Sequence, residues 1–434
     1  MRKGCLAVVA VILLLIAAPI VYLFVTIPSS VPPVAMDATG ERLAMLRLVP
    51  ADATEIFVVP AAGGFYRQLR DHPVTAPAIA RWQDAAGLRQ LPLLLGGADV
   101  VGWRRGSELS YLIAPDPLRR FLLRTYLSWN RSTVTGNVGN FILVGPPPPA
   151  ALAPQSLQSL IALTRGMSGQ AFVIETGSSS WNYPPIARPA VSTAVFDGGR
   201  LTVVSRAVRT EQLVAVPAPF LFYPEEAMLS ASSSSVGDWL QGLDRLLPVK
   251  LSPLLQKGAL VSLYKVDKGR LLPRLRGLAV VPEGPDTDQL IALLDATSGR
   301  FSFGGVSGQG RTYRGIEIVR REGLGFVIEY ARNAGRVLVA FDKSSIEDYV
   351  NDALTPVAAP PGQTIWFLRV RPGPLVPVLD QLRDRQELTL LAPEIYRTIG
   401  DLQMWLDYVQ SARSILMIRQ VDGEWDELTA TAEK

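Results

Sequence analysis

The apolar positions fall into two regimes. From Gly4 to Met36 no residue is charged, and Leu6–Ile27 is almost continuously apolar. After Leu46 the pattern changes to short runs in which apolar and polar residues alternate, separated by stretches with helical spacing. As a helix, Leu6–Ile27 extends about 33 Å at about 1.5 Å per residue, enough to cross a bilayer core of about 30 Å. A secretory signal has an apolar core of about 7–15 residues and ends at a small-x-small site. This run is longer, and Val25-Thr-Ile-Pro-Ser-Ser30 is a poor site. The chain is therefore expected to open with a cytoplasmic tip and an uncleaved transmembrane helix, residues 1–27. Arg2 and Lys3 precede the run and no basic residue follows until Arg42. That bias places the N-terminus in the cytoplasm and the body outside the inner membrane. Pro28-Ser-Ser-Val-Pro-Pro33 reads as a stiff spacer, within 28–41, holding the body off the bilayer.

In the body, Glu55–Val59, Leu109–Ala114 and Asn140–Val144 read as strands, with a helix opening at Phe65–Leu69 and another over Leu118–Leu127. Ser192–Val208 is expected to be a hairpin turning at Asp197-Gly198-Gly199. Strict alternation in Ala259–Asp267 and Arg336–Phe341 predicts antiparallel sheets with one packed and one more polar face. Helices such as Thr287–Leu294 and Pro393–Gln410 would cover the apolar face.

The second half repeats landmarks of the first in the same order. Pro50-Ala-Asp-Ala53 followed by Gly63-Gly64-Phe65 matches Pro224-Glu-Glu-Ala227 followed by Gly237-Asp238-Trp239 without a gap. Pro92–Val100 with Trp103-Arg104 matches Pro253–Val261 with Tyr264-Lys265. Gly139–Val144 resembles Gly335–Ala340, and Gly169–Ile174 resembles Gly362–Phe367. Asp197-Gly198 and Asp422-Gly423 each turn a terminal hairpin. The expected class is α+β: two similar lobes, 42–215 and 216–434, of antiparallel sheet covered by helices, preceded by one N-terminal transmembrane helix.

The apolar opening, the proline-led segment Leu48-Val-Pro-Ala-Asp-Ala-Thr54, and Tyr313-Arg-Gly-Ile-Glu-Ile318 leading to Val337-Leu-Val-Ala340 resemble an uncharacterised bacterial family of membrane-anchored extracytoplasmic proteins. The resemblance implies architecture and location. It brings no catalytic residues.

Composition then removes chemistries. The chain is 48% hydrophobic and 19% charged, which makes it globular with a large core. Of 43 basic residues, setting aside Arg2 and Lys3 leaves 41 against 39 acidic ones, so the body carries no basic field and nucleic acid is not an expected partner. The single cysteine, Cys5, lies beside the apolar run, so the body holds no disulfide, thiol nucleophile or thiolate metal site. The single histidine, His72, rules out imidazole clusters, and no Gly-x-Ser-x-Gly elbow accompanies it.

Four local motifs compete with ordinary structure. Ser262-Leu-Tyr-Lys265 has the Ser-x-x-Lys spacing of serine acyl-transferases, but it lies in an alternating strand and lacks its companion motifs. Gly304–Gly310 is glycine-rich, yet it leads into the strand Arg311–Val319 and not into a helix as a phosphate loop does. Asp286-Thr-Asp288 reads as a helix N-cap, and Glu225-Glu226 as part of a strand entry; neither has the further ligands of a calcium loop. Trp82, Trp103, Trp129, Trp181, Trp239, Trp366, Trp405 and Trp425 are spread along the chain and read as core or interface residues.

No catalytic, cofactor-binding or metal-ligating residue is assigned. The expected role is a non-enzymatic binding or scaffolding protein of the cell envelope. Its expected partners are the bilayer through the N-terminal helix, and either an envelope protein or an apolar ligand. Two alternatives stand beside it: a carrier or sensor of a lipid or other apolar ligand, and a hydrolase with a carboxylate-based site.

Overall fold

A computed structural model describes residues 22–36, 41–86, 91–129, 134–146, 154–176, 189–233, 258–267, 274–285, 309–323, 326–358, 362–383 and 411–434, with Thr287, Asp288, Gln289, Ile291, Ala292, Asp295, Leu406 and Val409 between them. The chain divides into two compact units, Met1–Thr210 with Trp425–Leu428, and Glu211–Glu424 with Thr429–Lys434.

In the first unit the short strand β1 (Val34–Ala35) is followed by the helix Glu41–Leu46 and then β2 (Glu55–Val59). Helices Ala62–Asp71, Ala76–Ala86 and Leu91–Leu95 lead to β3 (Asp99–Arg105) and β4 (Glu108–Ala114). The helix Pro117–Trp129 precedes β5 (Val134–Val138) and β6 (Phe141–Val144). After the helix Pro154–Leu163 come β7 (Ser168–Gly169), β8 (Ala171–Glu175), β9 (Ala190–Asp197) and β10 (Arg200–Val208). Strands pair antiparallel in the order β5-β6-β4-β3-β2-β8-β9-β10, and β1 pairs separately with β7.

The second unit carries β11 (Phe222–Pro224), β12 (Leu229–Ser233), β13 (Ala259–Asp267), β14 (Arg274–Pro282), β15 (Gln309–Tyr313), β16 (Ile316–Gly323), β17 (Phe326–Asn333) and β18 (Arg336–Ala340). The helix Ser345–Asn351, β19 (Leu354–Pro356), β20 (Gln363–Val370), the helix Pro372–Arg383, β21 (Ser414–Asp422) and β22 (Trp425–Glu433) complete the described elements. Its sheet runs β15-β16-β17-β18-β14-β13-β12-β20-β21, again antiparallel throughout. From β17 to β21 this is the order of β5 to β9, with β15 and β16 added at one edge.

The matched landmarks differ in register. Val58 pairs with Val101, and the sequence match would set Ser232 against Ser262. Instead Ser232 pairs with Leu260 and Ser262 with Ser230. A two-residue slip keeps every side chain on its own face, so the fold tolerates it where a one-residue slip would invert the strand.

The α+β expectation does not hold. Among the described residues strand outweighs helix, 45% against 27%, and the fold is mostly antiparallel sheet with few helices. The reason lies in the alternating runs, which form strands of up to nine residues such as Ala259–Asp267 and Arg274–Pro282. The expectation of one polar sheet face fails as well. In the first unit Val101, Trp103, Leu112 and Leu143 join a cluster with Met45, Leu46 and Leu163. Their neighbours Ile113 and Ile142 join a different one with Leu94, Leu95 and Leu123. In the second unit Leu260 and Leu338 pack with Ile346 and Tyr349, whereas Ala259, Val337 and Val339 pack on the other side with Ile291. Small and β-branched residues at the alternate positions let both faces close.

The expected N-terminal transmembrane helix lies outside the described residues as far as residue 21. Residues 22–25 are helical. No helix among the described residues is long and apolar enough to cross a membrane. Of the expected covering helices, Thr287–Asp288 and Ile291 are described as helical, and Pro393–Gln410 falls outside the described residues except at Leu406 and Val409.

Candidate functional site

The segment expected to be a spacer is packed onto the first unit. Ile27, Val31 and Met36 are all buried. Fully burying side chains of this size contributes about 1.5–3 kcal/mol each relative to leaving them in water, so the segment is held and does not hang free. Its seat is built from glycines. A Cβ on Gly64 would stand 2.7 Å from Val31 Cγ2 and 3.0 Å from Pro28 Cβ, so only a bare backbone admits these side chains. One residue earlier, a Cβ on Gly63 would stand 2.4 Å from the Gly96 carbonyl oxygen, which sets the close approach of helices Ala62–Asp71 and Leu91–Leu95. Gly96 itself sits at φ +53, where a side chain is strained, and its open flank is filled by the Arg119 guanidinium.

Arg119 is the centre of the seat and is only 2% exposed. It lies in the first turn of the helix Pro117–Trp129, which Asp116 caps by accepting the Leu118 and Arg119 amides at 3.1 and 3.0 Å. Its Nη1 donates to Asp116 Oδ2 at 2.7 Å, and its Nε to the Leu93 carbonyl at 3.1 Å. Its Nη2 donates to the Leu23 carbonyl at 3.1 Å and to Thr26 Oγ1 at 2.6 Å. The guanidinium also lies over the Tyr22 ring, 5.5 Å from its centroid. A cation at a helix C-terminus satisfies carbonyls that have no partner within the helix and opposes the negative end of the helix dipole. Arg119 does both for residues 22–25. Burial works against the Asp116 charge, but the Arg119 amide and guanidinium and the Leu118 amide outweigh it, holding that carboxyl below its ordinary range.

Gln170 fixes the far end of the segment. Its Nε2 donates to the Val31 carbonyl, its Oε1 accepts the Phe196 amide at 2.8 Å, and its own amide reaches the Ala194 carbonyl at 2.9 Å. Beyond it, Val34 and Ala35 pair with Gly169 and Ser168. Gly63, Gly64, Gly96, Gly169 and Gln170 were all visible in the sequence as repeat landmarks. Their role as a seat was not, because the partner of each lies far away in the chain.

The residues singled out by motif are held in structural bonds. Ser262 is buried, with its Oγ 3.2 Å from Ser230 Oγ. The strand bulges between Leu263 and Lys265, so simple alternation does not separate Ser262 from Lys265; instead Ser262 is buried and Lys265 is exposed. Gly310 lies in β15, while 304–308 fall outside the described residues. Asp288 binds Arg332 Nη2 at 2.6 Å, and Asp286 is outside the described residues. Glu225 accepts the Thr355 hydroxyl at 2.6 Å, and Glu226 pairs with Arg371 at 2.9 Å. Trp103 and Trp366 are core residues, and Trp425 lies under the Arg206 guanidinium. Cys5, Trp181, Trp239 and Trp405 lie outside the described residues, and the side chains of Trp82 and Trp129 are not described. His72 is buried edge-on against Phe196 at 5.0 Å, with Nδ1 accepting the Val74 amide. Burial pushes its pKa down, opposed by the backbone of Arg200 and Gly198. Among the described residues no three His, Cys, Asp or Glu side chains are placed to hold a metal ion.

No protein-family model, curated protein or solved structure matches the chain.

Proposed function

We propose that the chain is a single-pass membrane protein whose body, outside the cytoplasmic membrane, serves as a non-enzymatic binding or scaffolding module of the cell envelope. The observation that carries this reading is the Arg119 seat. It caps and clamps residues 22–26, where the apolar run ends, and so gives that run a fixed exit from the body. The uncharged stretch Gly4–Met36, with Arg2 and Lys3 before it, supports the orientation. The non-enzymatic part is supported by Ser262, Asp288, Glu225 and Glu226, each engaged in bonds that hold strands or turns. The shared strand order of the two units favours an internal duplication, two similar surfaces on one anchor.

Cys5 makes the topology directly testable, because it is the only cysteine. Val214 is exposed, and Val214→Cys supplies a second thiol on the body. In intact cells a membrane-impermeant maleimide is expected to label Val214→Cys and to spare Cys5 until lysis, with the chain resisting alkaline extraction. A Val214→Cys that labels only after lysis, or a chain released by alkali, would refute the reading.

A further inference from the structure

The arginine clamp also bears on depth. A hydrocarbon core needs about 20 helical residues, and counted from Leu6, where the apolar run begins, that length ends at Val25, two residues beyond Leu23. The Leu23 carbonyl is the group to which Arg119 donates at 3.1 Å. If the anchor spans, the start of the helix Pro117–Trp129 is therefore pinned at the outer edge of the bilayer, with no stalk between them.

Large apolar side chains of these two elements are exposed. Phe24 is 58% exposed and Val25 75%, as expected of residues leaving lipid, but Phe121 on the body is 67% exposed too. Phe121 lies two residues beyond Arg119, about 3 Å further along the helix axis and about 200° round it, so its ring is on the outer face of the helix, opposite the buried Arg119. Arg124, also exposed, is its i+3 neighbour on the same ridge. An exposed phenylalanine with arginine beside it suits a helix lying at the interface, where the ring enters the acyl boundary and the arginine meets lipid phosphates. Facing water, the ring would gain nothing from that apolar area; facing the interface, it would contribute at about 25 cal/mol per Å².

We infer that the outer ridge of the helix Pro117–Trp129, with Phe121 and Arg124, is a lipid-contacting surface that seats the first unit against anionic headgroups. This rests on the anchor reading and goes beyond it, since an anchored body held on a stalk would touch no lipid.

The test uses the full chain with Cys5→Ser, reconstituted in vesicles of phosphatidylethanolamine and phosphatidylglycerol. An environment-sensitive dye is placed at Phe121→Cys or at Val25→Cys, both exposed positions whose substitution leaves the core intact. The expected result is that both dyes are blue-shifted, quenched several-fold by spin-labelled lipid and shielded from aqueous iodide. A dye quenched by lipid at position 25 but open to iodide at 121 overturns the lipid-contacting surface while leaving the anchor in place. A dye open to iodide at both positions removes the anchor and the surface together.

Discussion

At the scale of single residues, Arg119, Gly63, Gly64 and His72 separate structural from incidental features. Arg119→Met keeps the bulk of the side chain and removes its hydrogen bonds to Asp116, Leu93, Leu23 and Thr26. Leaving a carboxylate and several acceptors without their cation costs about 3 kcal/mol, which urea denaturation of the detergent-solubilised chain is expected to show. The glycine pair turns on packing. In a helix, Gly→Ala gains up to about 1 kcal/mol of propensity, while overpacking costs about 1–3 kcal/mol. At Gly63 the obstacle is the backbone oxygen of Gly96, so overpacking wins and Gly63→Ala destabilises. At Gly64 the obstacles are Val31 Cγ2 and the Pro28 ring, both stiff, so Gly64→Ala destabilises as well, and by loosening the segment it raises cleavage of residues 28–33 by added protease. His72 supplies the pH dependence. Its folded pKa lies below the ordinary value near 6.5, so on acidification the unfolded chain takes up the proton first. Stability then falls with pH from about 6.5 down to the lowered folded value. His72→Phe is expected to flatten that part of the stability curve; an unchanged slope would mean that the histidine is not its source.

At the scale of elements, buried charge ties the edge of the second sheet to its helix. Glu329 on β17 is fully buried and accepts Arg311 Nη2 from β15 at 2.8 Å, and the same arginine pairs with Glu347 of the helix Ser345–Asn351. Arg311→Met alone strands a buried carboxylate and is expected to cost about 3 kcal/mol, while Arg311→Met with Glu329→Met recovers much of the loss. A double-mutant cycle by chemical denaturation measures that coupling; additive losses would show that the pair is not coupled. Much of this level could be read from the sequence. Glu55–Val59 is a strand as its pattern says, Leu118–Leu127 lies within the helix Pro117–Trp129, and Asp197-Gly198-Gly199 turns a hairpin with Gly198 at φ +57. The covering of both sheet faces could not be read. Ala259, Val261 and Val337 look like the weaker half of an alternation, and only a tertiary partner such as Ile291 shows that they are core. The Ser262–Lys265 bulge was hidden for a similar reason, since it belongs to the pairing with β14 and not to β13 alone.

For the molecule as a whole, two units with one strand order make a body, and one short segment joins the first of them to the apolar run. The sequence showed the run, the repeat landmarks and the glycines, but Pro28–Pro33 had the composition of a free spacer. Its packing depends on Gly64 and Gln170, and that of residues 22–26 before it on Arg119, all about 35 to 140 positions away in the chain. Residues 22–36 are thus a built-in part of the first unit. Hydrogen exchange on the full chain in detergent, followed at the amides of Thr26, Val34 and Ala35, tests this most directly. Thr26 donates to Tyr22, and Val34–Ala35 pair with Ser168–Gly169. The predicted result is slow exchange at Thr26 and at the one of Val34 and Ala35 whose amide faces β7, since adjacent strand amides point to opposite sides, with exchange at Thr26 accelerated by Arg119→Met. Exchange in wild type as fast as in an unstructured tail would contradict it, and the segment would then be the loose spacer its composition suggests.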